Sequence, residues 1–306
     1  MSTAFIYPGL NGLLRKTDRR RFLHLPQVQR RLGQAQEILQ DEFQIEIDYD
    51  LFLSGSKEEV YAVHNVNLAA VAICAIQVGV SECLAEKLEQ PPDWVMGCSL
   101  GDLARSVFAG AYDFSAAIIN HIQFTKHIDG IQRVGKNIGL SSSTQAKFND
   151  ADFAEFDRLQ VDVSRLTPRF LNIGGRFEDL AQIEALAVLR GWNAQDILQY
   201  PAHSRYIRPY VLPVADRFSK VIVRPPEVCM YSSFSNQELT DPQVIREEFL
   251  LSITQTIHWS LAIETLVREK KVLRFVNVGP CRSLILMMRD IDKNIECVDA
   301  LEILAV

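Results

Sequence analysis

Hydrophobic and polar positions follow strand-like and helix-like patterns in turn along the chain. Ala4 to Tyr7 is a short apolar run ended by Pro8-Gly9-Leu10-Asn11-Gly12, which predicts a buried strand and a turn. Residues 27 to 44 have helical periodicity. Val66 to Leu88 is mostly apolar and predicts a long buried helix, stopped by Pro91-Pro92. Trp94-Val95-Met96-Gly97 predicts a second short buried strand, followed by helices over Leu100 to Ala109 and Phe114 to Ile128.

The character changes near Gly130. Lys136 to Leu140, Phe170 to Ile173 and Ile197 to Tyr200 predict strands, with helical segments near 149–159 and 177–190 between them and a polar loop at Ser141-Ser142-Ser143-Thr144. Short strands alternating with two helices suggest a small α+β lobe. Helices resume near 204–220. Val228 to Ser232 and Arg274 to Val278 predict strands. Asp241 to Glu269 reads as helical throughout, and residues 281–290 form a helix after the Gly279-Pro280 turn. There is no internal repeat or low-complexity linker, so the lobe is expected as an insertion in one main α/β domain. Residues 1–130 and 201–306 would form the large domain, and 131–200 the small one.

Composition narrows the class. The chain has 306 residues, 48% hydrophobic and 23% charged, with a formal net charge of −6. That is a soluble globular composition, and a nucleic-acid binder would more often be basic. The N-terminus lacks a basic region followed by an apolar one, so no secretory signal is expected. No uninterrupted apolar run approaches the roughly 20 residues that span a bilayer; Asn67 and Gln77 interrupt the stretch from Val66 to Val80, so no membrane partner is expected. The six cysteines form no C-x-x-C pair and have no metal-ligand spacing. Cytoplasm is the expected location.

Gly97-Cys98-Ser99-Leu100-Gly101 fits G-x-S-x-G between a predicted strand and a predicted helix. Such an elbow needs glycines where the backbone is crowded, and it exposes the serine Oγ at the turn. The amide after the serine lies at a helix N-terminus, where it can stabilise an oxyanion. A serine nucleophile needs a base. Among six histidines, His203 lies in Tyr200-Pro201-Ala202-His203-Ser204, at a strand-to-helix junction open to a cleft. His24, His64 and His258 have no motif around them.

With those residues in place, the chain resembles the malonyl-CoA:acyl-carrier-protein transacylase family and polyketide-synthase acyltransferase domains. Gly97-Cys98-Ser99-Leu100-Gly101-Asp102 is similar to the family's G-H-S-x-G-E, and Tyr7-Pro8-Gly9-Leu10-Asn11-Gly12 to its N-terminal F-P-G-Q-G. Pro201-Ala202-His203-Ser204 resembles the segment around its catalytic histidine, and Val276-Asn277-Val278-Gly279-Pro280 its E-V-G-P. All four come in the family's order across nearly the whole chain. The resemblance implies a hydrolase-like parallel sheet covered by helices, an inserted ferredoxin-like subdomain, and an active-site gorge between them. It implies an acyl-Ser99 intermediate with His203 as general base, an oxyanion hole from the backbone amides of Leu10 and Leu100, and a carbonyl near Ser232 to Phe234 orienting His203. The substrates would be CoA or phosphopantetheine thioesters, the partner an acyl carrier protein, and the protein a monomer with no permanently bound cofactor and no metal.

The departures bear on the acyl group. Cys98 replaces the family's histidine and reads as a small buried side chain under the elbow rather than a rival nucleophile. Malonyl-specific members carry an arginine about 25 residues after the serine that clamps the free carboxylate. Counting without gaps from Ser99, and again from Phe114, lands on Phe124. A buried carboxylate without its partner costs about 3–5 kcal/mol, over about a hundredfold in affinity. An uncharged acyl chain is therefore expected, with Phe124, His121, Tyr200 and Ala202 as acyl-pocket residues. His121 and His127, one turn to either side of Phe124, are the candidate substitute cations, with Arg205 as a third. The basic cluster Arg15, Lys16, Arg19, Arg20 and Arg21 reads equally as a docking patch for an acidic carrier protein or as a solvated face. The alternatives are a thioester hydrolase on the same scaffold, a malonyl transacylase using a different cation, and an inactive carrier-binding scaffold. An ordinary serine esterase fits poorly, since no acidic triad member follows in chain order.

Overall fold

The computed structural model describes residues 2–62, 64–128, 130–142 and 146–304. Among these described residues ten strands form two sheets: β1 (Thr3–Tyr7), β2 (Trp94–Gly97), β3 (Gly135–Ser142), β4 (Asp162–Thr167), β5 (Phe170–Arg176), β6 (Trp192–Leu198), β7 (Cys229–Tyr231), β8 (Glu238–Leu239), β9 (Arg274–Asn277) and β10 (Glu296–Asp299). The large sheet runs β10-β9-β1-β2-β7-β8. Its pairs are parallel except β7 with β8. Ala4, Phe5, Ile6 and Tyr7 are fully buried at its centre, as parallel strands covered on both faces require. The chain is thus α/β, with a mixed, mainly parallel main sheet.

The second sheet, β4-β5-β3-β6, is antiparallel. With helices Asp150–Arg158 and Phe177–Arg190 it completes a β-α-β-β-α-β unit of ferredoxin-like order. Two of its strands differ from expectation. β6 spans Trp192–Leu198 rather than Ile197–Tyr200, and its mostly exposed edge position leaves little apolar signal. β4 was not foreseen, because its buried positions include the polar Asp162, Ser164 and Thr167. Ser141 and Ser142 end β3, while Ser143 and Thr144 of the expected loop lie outside the described residues.

Helix Val66–Lys87 meets the length and hydropathy of a membrane span, yet 83% of its apolar window is buried inside the protein. The helix Pro26–Phe43 lies against it so closely that a Cβ on Gly79 would stand 2.6 Å from the Val28 Cα. Its polar interruptions are used. Gln77 Nε2 donates to the Pro8 carbonyl at 2.6 Å, and Asn67 faces the gorge described below.

The expected single helix from Asp241 to Glu269 is two helices, Pro242–Leu251 and Trp259–Arg268. Strand β4 grips the chain between them. The Ile257 amide donates to Ser164 Oγ at 2.9 Å, and the Arg165 amide to the Ile257 carbonyl at 2.7 Å. Residues Ile253, Thr254, Thr256 and Ile257 are β-branched, so helix propensity resists this break weakly.

Candidate active site

Strand β2 ends at Gly97, and helix Gly101–Phe108 begins four residues later. Ser99 sits between them at φ +58°, a left-handed conformation that costs a serine free energy and that the surrounding packing enforces. The glycines of the motif allow the turn. A Cβ on Gly101 would stand 2.0 Å from the Tyr7 carbonyl oxygen, and one on Gly97 2.4 Å from the Asp102 amide. Strand β1 and the elbow can approach this closely only with glycine there.

Ser99 Oγ and His203 Nε2 are 2.7 Å apart. His203 also lies at positive φ, +57°. The segment carrying it is held by the second sheet. Asn137 on β3 donates to the Ala202 carbonyl at 2.9 Å, and Asp162 on β4 accepts from the Arg205 amide at 2.6 Å. The opposite ring nitrogen, Nδ1, is 3.1 Å from the Ser252 carbonyl. The orienting carbonyl is therefore Ser252, not one from Ser232 to Phe234. The helix break places the Ser252 carbonyl in a 3₁₀ turn, where it also accepts from the Gln255 amide at 3.1 Å. Ser233 is committed elsewhere, its carbonyl accepting from the His258 amide at 2.7 Å. Phe234 instead stacks on the imidazole, centroids 5.6 Å apart. Burial lowers His203 to about 4, against smaller upward effects from hydrogen bonds to Ser252 and Gln255. The imidazole is thus neutral at pH 7 and able to accept a proton.

These residues open into a gorge with a cavity volume of about 180 Å³. Leu10, Leu100, His121, Phe124, Tyr200 and Ala202 all line it. The Leu10 carbonyl accepts from the Tyr61 hydroxyl. Among the described residues no protein acceptor takes the amide of Leu10 or of Leu100. Cys98 is not part of the lining; it packs in a core cluster with Ile6, Met96 and Tyr231, and burial pushes its thiol well above the usual range.

Phe124 is 7% exposed and meets Phe218 edge-on at 5.8 Å. His121 shares its helix face, and burial lowers its ring to about 4, so it is uncharged at neutral pH. His127 does not reach the gorge. It is exposed, with Nδ1 2.6 Å from the Gln123 carbonyl. Arg205 is also outside the gorge, paired with Asp162.

The one guanidinium in the gorge wall among the described residues is Arg105, which went unnoticed in the sequence. It is 2% exposed, 2.8 Å from Asp102 and 3.0 Å from Glu248, and donates to the Tyr231 carbonyl. Glu248 also accepts from the Ser232 hydroxyl. Burial raises Asp102 to about 7, with Arg105 opposing. The i, i+3 spacing of Asp102 and Arg105 was the available signal, but Glu248 lies 143 residues away in sequence.

In the basic cluster after the first turn Arg15, Lys16 and Arg20 are exposed, while two members are engaged within the protein. Arg19 is buried and caps the carbonyls of Leu13, Leu53 and Gly55, and Arg21 pairs with Asp299 at 2.6 Å.

Fold and site together define an α/β hydrolase-type chain with an inserted ferredoxin-like sheet and a paired serine and histidine at a strand-to-helix elbow. The mouse protein "Malonyl-CoA-acyl carrier protein transacylase, mitochondrial" is 24% identical over 293 residues, covering 86% of this chain and 72% of its own. The malonyl CoA-acyl carrier protein transacylase of Coxiella burnetii superposes with a TM-score of 0.85 at 20% identity, over 100% of this chain and 96% of that one. A malonyl-transacylase solved in complex with its type II PKS acyl-carrier protein gives 0.79 at 18% identity, over 98% and 95%. No family model matches the chain. At these identities the structural likeness is one of fold. The curated relative and the solved structures bear the names of one family, the malonyl-CoA:acyl-carrier-protein transacylases, which this chain resembles.

Proposed function

We propose that the protein is an acyltransferase that moves an uncharged acyl group from a CoA or carrier-protein thioester to an acyl carrier protein. The observation that carries this reading is the 2.7 Å contact between Ser99 Oγ and a neutral, buried His203. Ser99 Oγ gives its proton to His203 Nε2 and attacks the thioester carbonyl. The C–S bond breaks, and the departing thiolate takes the proton from His203. A phosphopantetheine thiol of the carrier then gives its proton to His203 and attacks the acyl-serine ester; the C–O bond breaks, and the departing Ser99 Oγ takes that proton back from His203. This is ping-pong chemistry. The amides of Leu10 and Leu100 would hold the oxyanion. Both are main-chain donors, so leucine in place of the family's glutamine at position 10 leaves the hole intact.

The gorge wall supports an uncharged acyl group. Its one guanidinium, Arg105, already faces two carboxylates. His121 is neutral, and the clamp position is Phe124. A malonyl carboxylate would find no unpaired cation there, at a cost of about 3–5 kcal/mol. Residues 131–200 would act as the small lobe and 1–130 with 201–306 as the main domain, working as a cytoplasmic monomer. The mouse relative and the solved transacylase–carrier complex, by their names, support a carrier-protein partner.

The test is intact-protein mass spectrometry after incubation with acetyl-, butyryl-, hexanoyl- and malonyl-CoA, followed by addition of holo acyl carrier protein. Adducts of the neutral chains on Ser99 that move to the carrier are expected. Loss of the adduct to water in the carrier's presence would assign hydrolysis instead, and no adduct with any donor would remove the acyltransferase reading.

A further inference from the structure

His121 is a polar residue of the acyl pocket that the mechanism does not use. It lies on helix Phe114–His127, three residues before Phe124 and so on the same face, and both line the gorge. Its Nε2 is buried and has no hydrogen-bond partner among the described residues. Asp102 and Arg105 in the same wall also carry buried atoms without a hydrogen-bond partner among the described residues, but they face each other as an ion pair. Thr125 Oγ1 donates to the His121 carbonyl at 2.9 Å, and the carboxylates of Asp102 and Glu248 face Arg105. Buried polar atoms in native proteins are almost always paired, and an orphaned one marks a ligand contact or a bound water. In the empty gorge Nε2 is closed to solvent, so pairing it takes a turn of the ring toward the bound acyl chain, and a pure hydrocarbon chain leaves the nitrogen unpaired.

We infer that His121 selects acyl chains carrying a hydroxyl or keto oxygen, which pairs with its Nε2, over hydrocarbon chains of the same length. A hydroxyl can donate or accept, so it suits either imidazole tautomer. A carboxylate does not suit a ring that burial keeps uncharged. A site built to hydrogen-bond a substrate oxygen discriminates strongly against the analogue that lacks it, since the buried group is left unpaired. This inference rests on the uncharged-acyl reading and narrows it to oxygenated chains.

The test compares Ser99 acylation rates for matched CoA thioesters: butyryl with 3-hydroxybutyryl and 3-oxobutyryl, and hexanoyl with 3-hydroxyhexanoyl and 5-hydroxyhexanoyl. Wild-type protein should favour at least one oxygenated member by roughly tenfold. His121→Phe should abolish that ratio, and His121→Gln, which keeps a polar group, should retain part of it. A hydrocarbon preference in every wild-type pair would overturn the inference, as would a ratio that His121→Phe leaves within about twofold. The wild-type ratios need no variant, so they decide even where His121→Phe folds poorly. Malonyl-CoA in the same panel reports separately on the broader reading. If malonyl is fastest, both fail. If hydrocarbon chains lead, only the inference about His121 fails.

Discussion

Replacing Phe124 by arginine tests the selectivity argument at its source. In the wild-type gorge a malonyl carboxylate meets the Phe124 ring, a neutral His121 and an Arg105 already shared between Asp102 and Glu248. Leaving that carboxylate unpaired costs about 3–5 kcal/mol, so acetyl-CoA should acylate Ser99 at least about a hundredfold faster than malonyl-CoA. An arginine at 124 can supply two parallel hydrogen bonds. The recovery should be partial, because burying a guanidinium is costly and the carboxylates of Asp102 and Glu248 compete for it. A rise of roughly tenfold in the malonyl-to-acetyl ratio is expected. The substitution also removes the edge contact with Phe218 at 5.8 Å, worth about 0.5–1.5 kcal/mol, so the thermal midpoint should drop by a few degrees. Single-turnover acylation followed by intact mass reads both rates, and Phe124→Leu separates loss of the ring from gain of charge. Faster acylation of the wild type by malonyl-CoA at neutral pH would refute the reasoning, as would an unchanged ratio in folded Phe124→Arg.

Three further outcomes follow from the site. Ser99→Ala should show no acyl adduct by intact mass; a persistent adduct, especially on buried Cys98, would displace Ser99 as nucleophile. His203→Ala should slow acylation by at least about a hundredfold, and near-normal rates in the folded variant would move the base elsewhere. Because burial lowers His203 to about 4, its basic form survives as pH falls from 7 to 5, where an ordinary histidine titrating near about 6.5 is already protonated. The acylation kcat/KM should hold down to pH 5 and fall only as pH drops through about 4. A step near 7 that vanishes in Asp102→Asn belongs to Asp102, whereas one that remains in that variant would contradict the burial argument for His203.

Local pattern gave the elements of the main domain that lie near the nucleophile. The apolar runs Ala4 to Tyr7 and Trp94 to Gly97 are central strands, and turn chemistry at Gly97-Cys98-Ser99-Leu100-Gly101 located the elbow, because backbone crowding there admits only glycine. The elements that position His203 were less legible. Strand β4 presents Asp162 and Ser164 inward to hold the Arg205 and Ile257 amides, which inverts the apolar-inside pattern that reveals a half-buried strand. The break after Leu251 is imposed by β4, so propensity alone extended a helix through it.

The sequence by itself determined the fold class and put forward Ser99 with His203, and Phe124 at the spacing of the clamp arginine, as candidates. These depend on short-range spacing and on residue type. Only the tertiary structure decided that the Ser252 carbonyl orients the imidazole, that His127 and Arg205 stay out of the gorge, and that Arg105 is spent on Asp102 and Glu248. It also withdrew Arg19 from the basic run at residues 15–21, burying it among carbonyls. Each of these is a matter of which distant groups share a volume, and of how burial shifts charge within it. Such facts belong to the packed chain, because hydrogen-bond partners and desolvation exist only once segments distant in sequence, such as Arg105 and Glu248 143 residues apart, have met.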